Sequence, residues 1–210
     1  FQHVQKDFNG QTVIPDLNLT IDQGELFVLV GTSGSGKTTS LKMINCLEPL
    51  TAGKILVNGT DTTTIPVRSL RWQMGYVLQQ IALFPTMTVA QNIAVIPEMK
   101  GTAKKEINQT IDELLAEVGL DPKEYRDRMP SELSGGEQQR IGILRAIAAQ
   151  PDIVLMDEPF SALDPISRQQ LQDLVLRLHA RYHNTIVFVT HDMNEALKLG
   201  DRIGVMQHGQ

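Results

Sequence analysis

Short unbroken apolar runs alternate along this chain with longer stretches in which apolar residues recur every third or fourth position. The runs are Leu26–Val30, Ile153–Met156 and Ile186–Val189, the length of strands covered on both faces. Between them the spacing changes. Leu171, Leu174, Val175 and Leu178 fall at i, i+3, i+4 and i+7, one stripe of an amphipathic helix. Ile107, Ile111, Leu114, Leu115 and Val118 make a second stripe, and Gly119 suits its C-terminal cap. Asp164 followed by Pro165 reads as a helix start, a capping carboxylate and then proline at the first helical position. Apolar strands alternating with helices predict an α/β fold built on a mainly parallel sheet.

The first sixty residues read differently. Leu17–Ile21 alternates apolar with polar, and Lys54–Val57 is a short strand before Asn58-Gly59, so antiparallel strands are expected beside the parallel core. A further short strand is expected at Tyr76–Leu78. Residues from about 79 to 150 are mostly helical in pattern and predict a helical subdomain within a single domain of residues 1–210. Cys46 reads as a small apolar filler on a helix, and Trp72 as structural.

Composition narrows the function classes. The chain has 210 residues, 20 % of them charged, with a net charge of -5, a balance that weighs against a nucleic-acid footprint. No apolar run approaches the roughly 20 residues that span a bilayer. No signal peptide opens the chain, so a cytoplasmic location is expected. A single cysteine rules out an internal disulfide. The chain starts without Met and stops at Gln210, directly after an expected strand and turn, and reads as a fragment of a longer polypeptide.

Three motifs carry chemistry. Gly31–Thr38, GTSGSGKT, matches G-x-x-x-x-G-K-[ST] with a strand before it and a helical pattern after it. Glycines let backbone N–H groups converge on phosphate oxygens, and the helix N-terminus adds partial positive charge. Lys37 is then expected to reach the β- and γ-phosphates and the Thr38 hydroxyl to bind Mg²⁺. Asp157 and Glu158 end a buried apolar strand, an expensive place for two carboxylates unless a cation or a polar network waits there. Asp157 fits a water-mediated Mg²⁺ ligand, and Glu158 fits the base that orients and deprotonates an attacking water. The third motif is LSGGEQQR, Leu133–Arg140. Ser134 and Glu137 have capping-box spacing, so a helix starts there with free N–H groups at Gly135 and Gly136, a second anion site in one chain.

In this order the three motifs resemble the ATP-binding cassette (ABC) family, and the resemblance covers nearly the whole chain. It implies a P-loop NTPase core with an N-terminal antiparallel β subdomain and a helical signature subdomain, ATP and Mg²⁺ as ligands, and ATP hydrolysis. Ser33, Gly34, Ser35, Gly36, Lys37, Thr38 and Thr39 are then the cis nucleotide loop. The resemblance also implies that two copies pair head to tail around two ATP molecules, with Ser134, Gly135 and Gly136 facing the γ-phosphate held by the partner. Gln79 matches the glutamine that senses Mg²⁺ and the attacking water, with Gln80 beside it as a rival. His191 matches the histidine that holds the γ-phosphate and the Glu158 region. Asp164, in Ser161–Asp164, matches the turn that crosses the dimer. Phe8 lies where the family keeps an aromatic ring on adenine; a core phenylalanine is the alternative.

Membrane permease subunits are the implied load, docking beside the glutamine loop on Leu83, Phe84, Met87 and Val89. The stretches TTSLKMIN, GYVLQQIALFPTMTV, DEPFSALDP and TIVFVTHDMNEALKL look most like importers of glycine betaine, carnitine or choline, which act with an external substrate-binding protein. That implies a peripheral position on the cytoplasmic face of the membrane and, in many relatives, a C-terminal regulatory region beyond the cassette. Cys46 and Trp72 depart from that pattern, where basic residues are expected. The alternatives are an importer of another small solute, such as an amino acid, or a soluble ABC protein of translation or DNA repair.

Overall fold

The computed structural model describes residues 1–210. Strands β1 (Gln2–Phe8), β2 (Gln11–Leu17) and β3 (Leu26–Val30) precede helix α1 (Lys37–Ile44). Short strands β4 (Ala52–Lys54), β5 (Leu56–Val57) and β6 (Thr60–Asp61), helix α2 (Val67–Arg71) and strand β7 (Met74–Val77) follow. The helical segment comprises α3 (Val89–Met99), α4 (Lys104–Glu117), α5 (Pro122–Tyr125) and α6 (Gly135–Ile147). The chain closes with β8 (Ile153–Asp157), α7 (Pro165–Tyr182), β9 (Thr185–Thr190), α8 (Met193–Leu199) and β10 (Arg202–Val205).

The central sheet is five-stranded, ordered β10-β3-β9-β8-β7, with every pairing parallel. Its apolar runs are continuous because both faces are covered. Leu26, Val28, Val154, Met156, Ile186 and Phe188 face one core, shared with α3, α4, α6 and α7. Phe27, Leu29, Leu155, Val187 and Val189 face the other, shared with α1 and the antiparallel sheet β2-β1-β4. Successive side chains thus go to opposite cores, as the two-residue period of a strand requires.

Three local expectations are corrected. The second antiparallel strand is Gln11–Leu17, not Leu17–Ile21: Asn18 Oδ1 accepts the His3 N–H at 2.8 Å, so a side chain takes the place of the ladder there. Lys54–Val57 is not one strand. The chain breaks at buried Ile55, sending β4 to pair with β1 and β5 with β6. Cys46 lies beyond the end of α1 in a left-handed turn (φ 55°), although it still packs against the second core.

Candidate active site

Register brings the motifs together. Val30 pairs with Thr190, Val189 with Asp157, and Met156 with Val77, so the C-terminal ends of β3, β9, β8 and β7 are nearly level. Ligands of open parallel sheets bind in the crevice outside those ends. Here the crevice is a cleft of about 650 Å³ lined by Phe8, Gly36, Lys37, Gln79, Glu158 and His191, with Ser33, Gly34, Thr38 and Thr39 completing the loop. A second cavity of about 630 Å³, among Leu19, Ile21, Ile44, Val57 and Ile153, lies at the opposite ends of the strands. It is more apolar and has no phosphate-binding loop.

The loop between β3 and α1 depends on backbone positions that exclude side chains. Gly36, the N-cap of α1, has φ 106°, strained for any residue with a Cβ, and a Cβ on Gly31 would stand 2.2 Å from the Met206 carbonyl oxygen. Lys37 is only 4 % exposed, and its Nζ donates to the Gly31 and Thr32 carbonyls at 2.8 and 2.9 Å. Burial pulls its ammonium below the ordinary value, opposed by the charges of Glu158 and Asp157. Ser35 is buried with its hydroxyl unpaired and does not line the cleft.

Asp157 is 5 % exposed and accepts the Thr38 hydroxyl proton at 2.8 Å. Burial pushes its carboxyl above the usual range, against the pull of that hydrogen bond and of Lys42 and Lys37. A buried carboxylate held in this way gains from a divalent cation. The donors are hard oxygens, the hydroxyl and the carboxylate, and no cluster of three or more His, Cys, Asp or Glu side chains supplies a protein-only cage. That is the Mg²⁺ pattern: one or two protein ligands, with waters and phosphates filling the rest. The residues therefore fit Mg²⁺.

Glu158 follows β8 with φ 43°, a left-handed conformation uncommon outside glycine, and its N–H is tied to the Val189 carbonyl at 2.9 Å. The bend turns its carboxylate toward His191, whose Nδ1 lies 2.8 Å from Oε2. Gln79 sits two residues beyond β7 and is exposed on the cleft wall, whereas Gln80 does not line the cleft. Phe8 is exposed at the cleft rim, with Lys6 Nζ 4.3 Å from its ring centroid, so it is no core residue.

Ser134, Gly135, Gly136 and Asp164 do not line this cleft. Ser134 caps α6 with its hydroxyl accepting from the Glu137 N–H, while Glu137 accepts the Ser134 N–H at 2.8 Å. The Tyr125 hydroxyl, 2.6 Å from Glu137, holds that carboxylate below the usual range. Asp164 caps α7 by accepting from the Ile166 and Ser167 N–H groups. Both side chains are exposed, and α6 presents free N–H groups to solvent.

The expected docking patch is revised. Val89 is 0 % exposed and belongs to the core, and Leu83 packs on that core, while Phe84 is 45 % exposed. Met87 is partly buried, and Ile81 and Leu78 nearby in sequence are also exposed. Asn92 and Arg145 escaped sequence reasoning. Asn92, 0 % exposed, accepts the Phe84 N–H at 2.8 Å and donates to the Phe84, Met87 and Thr88 carbonyls. Arg145, on α6, donates to the Ala82 carbonyl at 2.7 Å, with its guanidinium 5.5 Å from the Phe84 ring centroid. The only signal was a polar residue on an apolar helical stripe (Asn92 beside Ile93). Val13, on the cleft wall, carried none.

A model of the ABC transporter family matches residues 14–161. The chain is 49 % identical, over its full length, to the glycine betaine uptake system ATP-binding protein YehX of Escherichia coli (strain K12), of which it covers 68 %. It is 48 % identical, again over its full length, to the carnitine transport ATP-binding protein OpuCA of Listeria monocytogenes serotype 1/2a (strain 10403S), of which it spans 53 %. Among solved structures, a dimeric post-hydrolysis state of the ATP-binding cassette MJ0796 bound to ADP and Pi superposes with a TM-score of 0.86 at 32 % identity, covering 99 % of this chain and 94 % of that one. With a phosphate loop and a Glu–His pair lining one cleft, and Thr38 on its wall bonded to the buried Asp157, the chain belongs to the ABC transporter family, as an ATPase of the ATP-binding cassette type.

Proposed function

We propose that this ATPase powers an importer of glycine betaine, carnitine or choline-type osmoprotectants, working as a head-to-tail pair of cassettes on the cytoplasmic face of membrane permease subunits. One observation carries the reading: the cleft gathers the phosphate loop, Gln79, Glu158 and His191, while the exposed start of α6 at Ser134–Gly136 lies outside it. A site divided in this way is completed by a second copy.

The loop from Ser33 to Thr39, whose residues other than Ser35 line the cleft, wraps the phosphates with backbone N–H groups, and Lys37 neutralises the β/γ region. Phe8 stacks on the base. Mg²⁺ would be held by Thr38 and Asp157, with Gln79 reaching it through water, and when bound it draws charge off the phosphate oxygens. Glu158 takes the proton of the attacking water. His191, 2.8 Å away, orients that carboxylate and reaches toward the γ-phosphate. Ser134 and Gly136 of the second copy close the site from the far side with uncharged donors. The exposed Phe84 and its neighbours receive the permease subunits, and an external substrate-binding protein delivers the cargo to them.

Identity to relatives named for osmoprotectant transport supports the cargo class. The test is uptake of labelled glycine betaine after osmotic upshift, in cells carrying the intact gene or its Lys37→Ala variant. Collapse of uptake in the variant supports both motor and cargo. Unchanged uptake, with hydrolysis lost in the purified variant, rejects the cargo and leaves the motor.

A further inference from the structure

Behind the Glu158–His191 pair lies a cavity of about 20 Å³ with no hydrophobic residue in its lining, bounded by Glu158, Ser161, Arg168, Thr190, His191 and Glu195. Glu195, on α8, is 6 % exposed, and its Oε2 accepts the Thr190 hydroxyl proton at 2.6 Å. Thr190 Oγ1 in turn accepts the Asp192 N–H at 3.0 Å, which fixes the turn carrying His191. On the other side Arg168 Nη2 donates to the Leu163 carbonyl at 3.2 Å, inside the Ser161–Asp164 turn. Arg168 Nε lies 3.8 Å from Glu195 Oε1, an ion pair too long for a hydrogen bond, and this enclosed Nε has no hydrogen-bond partner.

An enclosed guanidinium donor is rarely left unpaired, and a polar cavity larger than about 10–15 Å³ accepts one water with several partners. We propose that Arg168 and Glu195 are positioning residues that join the Ser161–Asp164 turn to the His191 turn, and that one water in this cavity completes the link from Arg168 Nε to the Glu158–His191 pair. The chain of contacts runs Leu163 carbonyl, Arg168, Glu195, Thr190, Asp192 N–H. A buried carboxylate such as Glu195 is costly to leave without its partners, so Glu195 follows Arg168 when that side chain moves. Displacing the Ser161–Asp164 turn therefore shifts Arg168, then Glu195, and then the spacing between Glu158 and His191. The inference rests on the proposed paired-cassette reading, in which that turn lies at the interface. It makes the state of one site set the alignment of the base in the other.

The experiment measures steady-state MgATP hydrolysis by the full chain and by Arg168→Met, Glu195→Gln, the double variant and Arg168→Lys. Misalignment of a base predicts that each of the first two lowers kcat by about 10- to 100-fold, leaves KM for ATP within about twofold, and moves the Hill coefficient toward 1. Because both residues act in one linkage, the double variant is expected to fall no further than the worse single variant. Arg168→Lys, which keeps the charge, recovers part of kcat. If Glu195→Gln does not fold, the Arg168→Met and Arg168→Lys pair decides the matter by the same split. Losses that multiply in the double variant, or a Hill coefficient unchanged in an active Arg168→Met protein, overturn the link. A parent chain that neither binds nor hydrolyses MgATP overturns the functional reading and this inference with it. A high-resolution crystal structure is expected to show the water on Arg168 Nε; a direct Nε–Glu195 bond with the cavity closed overturns that part.

Discussion

Ser134 caps α6, and the proposed paired site gives it a second, separable duty that substitution can pull apart from the first. As the N-cap of α6 its hydroxyl accepts the Glu137 N–H, and Glu137 returns the bond to the Ser134 N–H. Losing such a cap costs about 1 kcal/mol, which in a chain of this size lowers Tm by about 2–4 °C. Ser134→Ala is expected to do that. Asparagine caps about as well as serine, so Ser134→Asn is expected to stay within about 0.5 kcal/mol of the parent. The proposed paired-cassette reading adds a second duty, a hydrogen bond to a phosphate on the partner's ATP, worth about 1.5–3 kcal/mol for a charged acceptor. That is a loss of roughly 10- to 150-fold per site at about 1.36 kcal/mol per decade. Alanine removes the donor, and asparagine places a longer side chain where the phosphate must approach, so both variants lose it. The assays are thermal unfolding without nucleotide, steady-state hydrolysis, and ATP-dependent dimerisation in a Glu158→Gln background. A Ser134→Asn protein as stable as the parent but hydrolysing at least about tenfold more slowly fits both duties. If both variants hydrolyse within about threefold of the parent, α6 does not face a phosphate.

Asp157→Asn is expected to stabilise the nucleotide-free chain at neutral pH while abolishing Mg²⁺-dependent ATP binding. Burial raises the folded-state pKa of Asp157 above its ordinary 3.8, so its ionised form opposes folding above the folded pKa, and the penalty disappears as pH falls below the unfolded value. The gain from asparagine in denaturant titrations must therefore fade on acidification toward pH 4; a gain that grows there refutes it. Glu158→Gln in saturating MgATP is expected to collect as a dimer on size exclusion, whereas a persistent monomer counts against the paired site. Asn92→Ala removes the clamp on residues 84–88 and is expected to cost about 2–4 kcal/mol, read by thermal unfolding and by faster proteolysis in that loop.

Strand positions and the order of the motifs were legible in the sequence because they rest on local chemistry. Continuous apolar runs of strand length, such as the five residues Leu26–Val30, fit strands buried on both faces. A helix start at Asp164-Pro165 or Ser134-x-x-Glu137 is written in adjacent residues. The breaks were not legible: Asn18 ends a ladder only because His3 lies opposite, and Val89 is core only because α3 packs on α6. Likewise Asn92, Arg145, Arg168 and Glu195 look like ordinary polar residues until the fold closes their partners around them, whether a few residues away, as Thr88 is from Asn92, or 63 away, as Ala82 is from Arg145. What the sequence determined was which groups are present and which element each one ends. Their convergence was decided by parallel register, which levels four strand ends, carries Lys37, Glu158 and His191 into one cleft and sets Asp157 against Thr38 on its wall, while leaving Ser134 outside it. Hydrogen bonding between distant strands sets that register, and no local pattern encodes the distance between them.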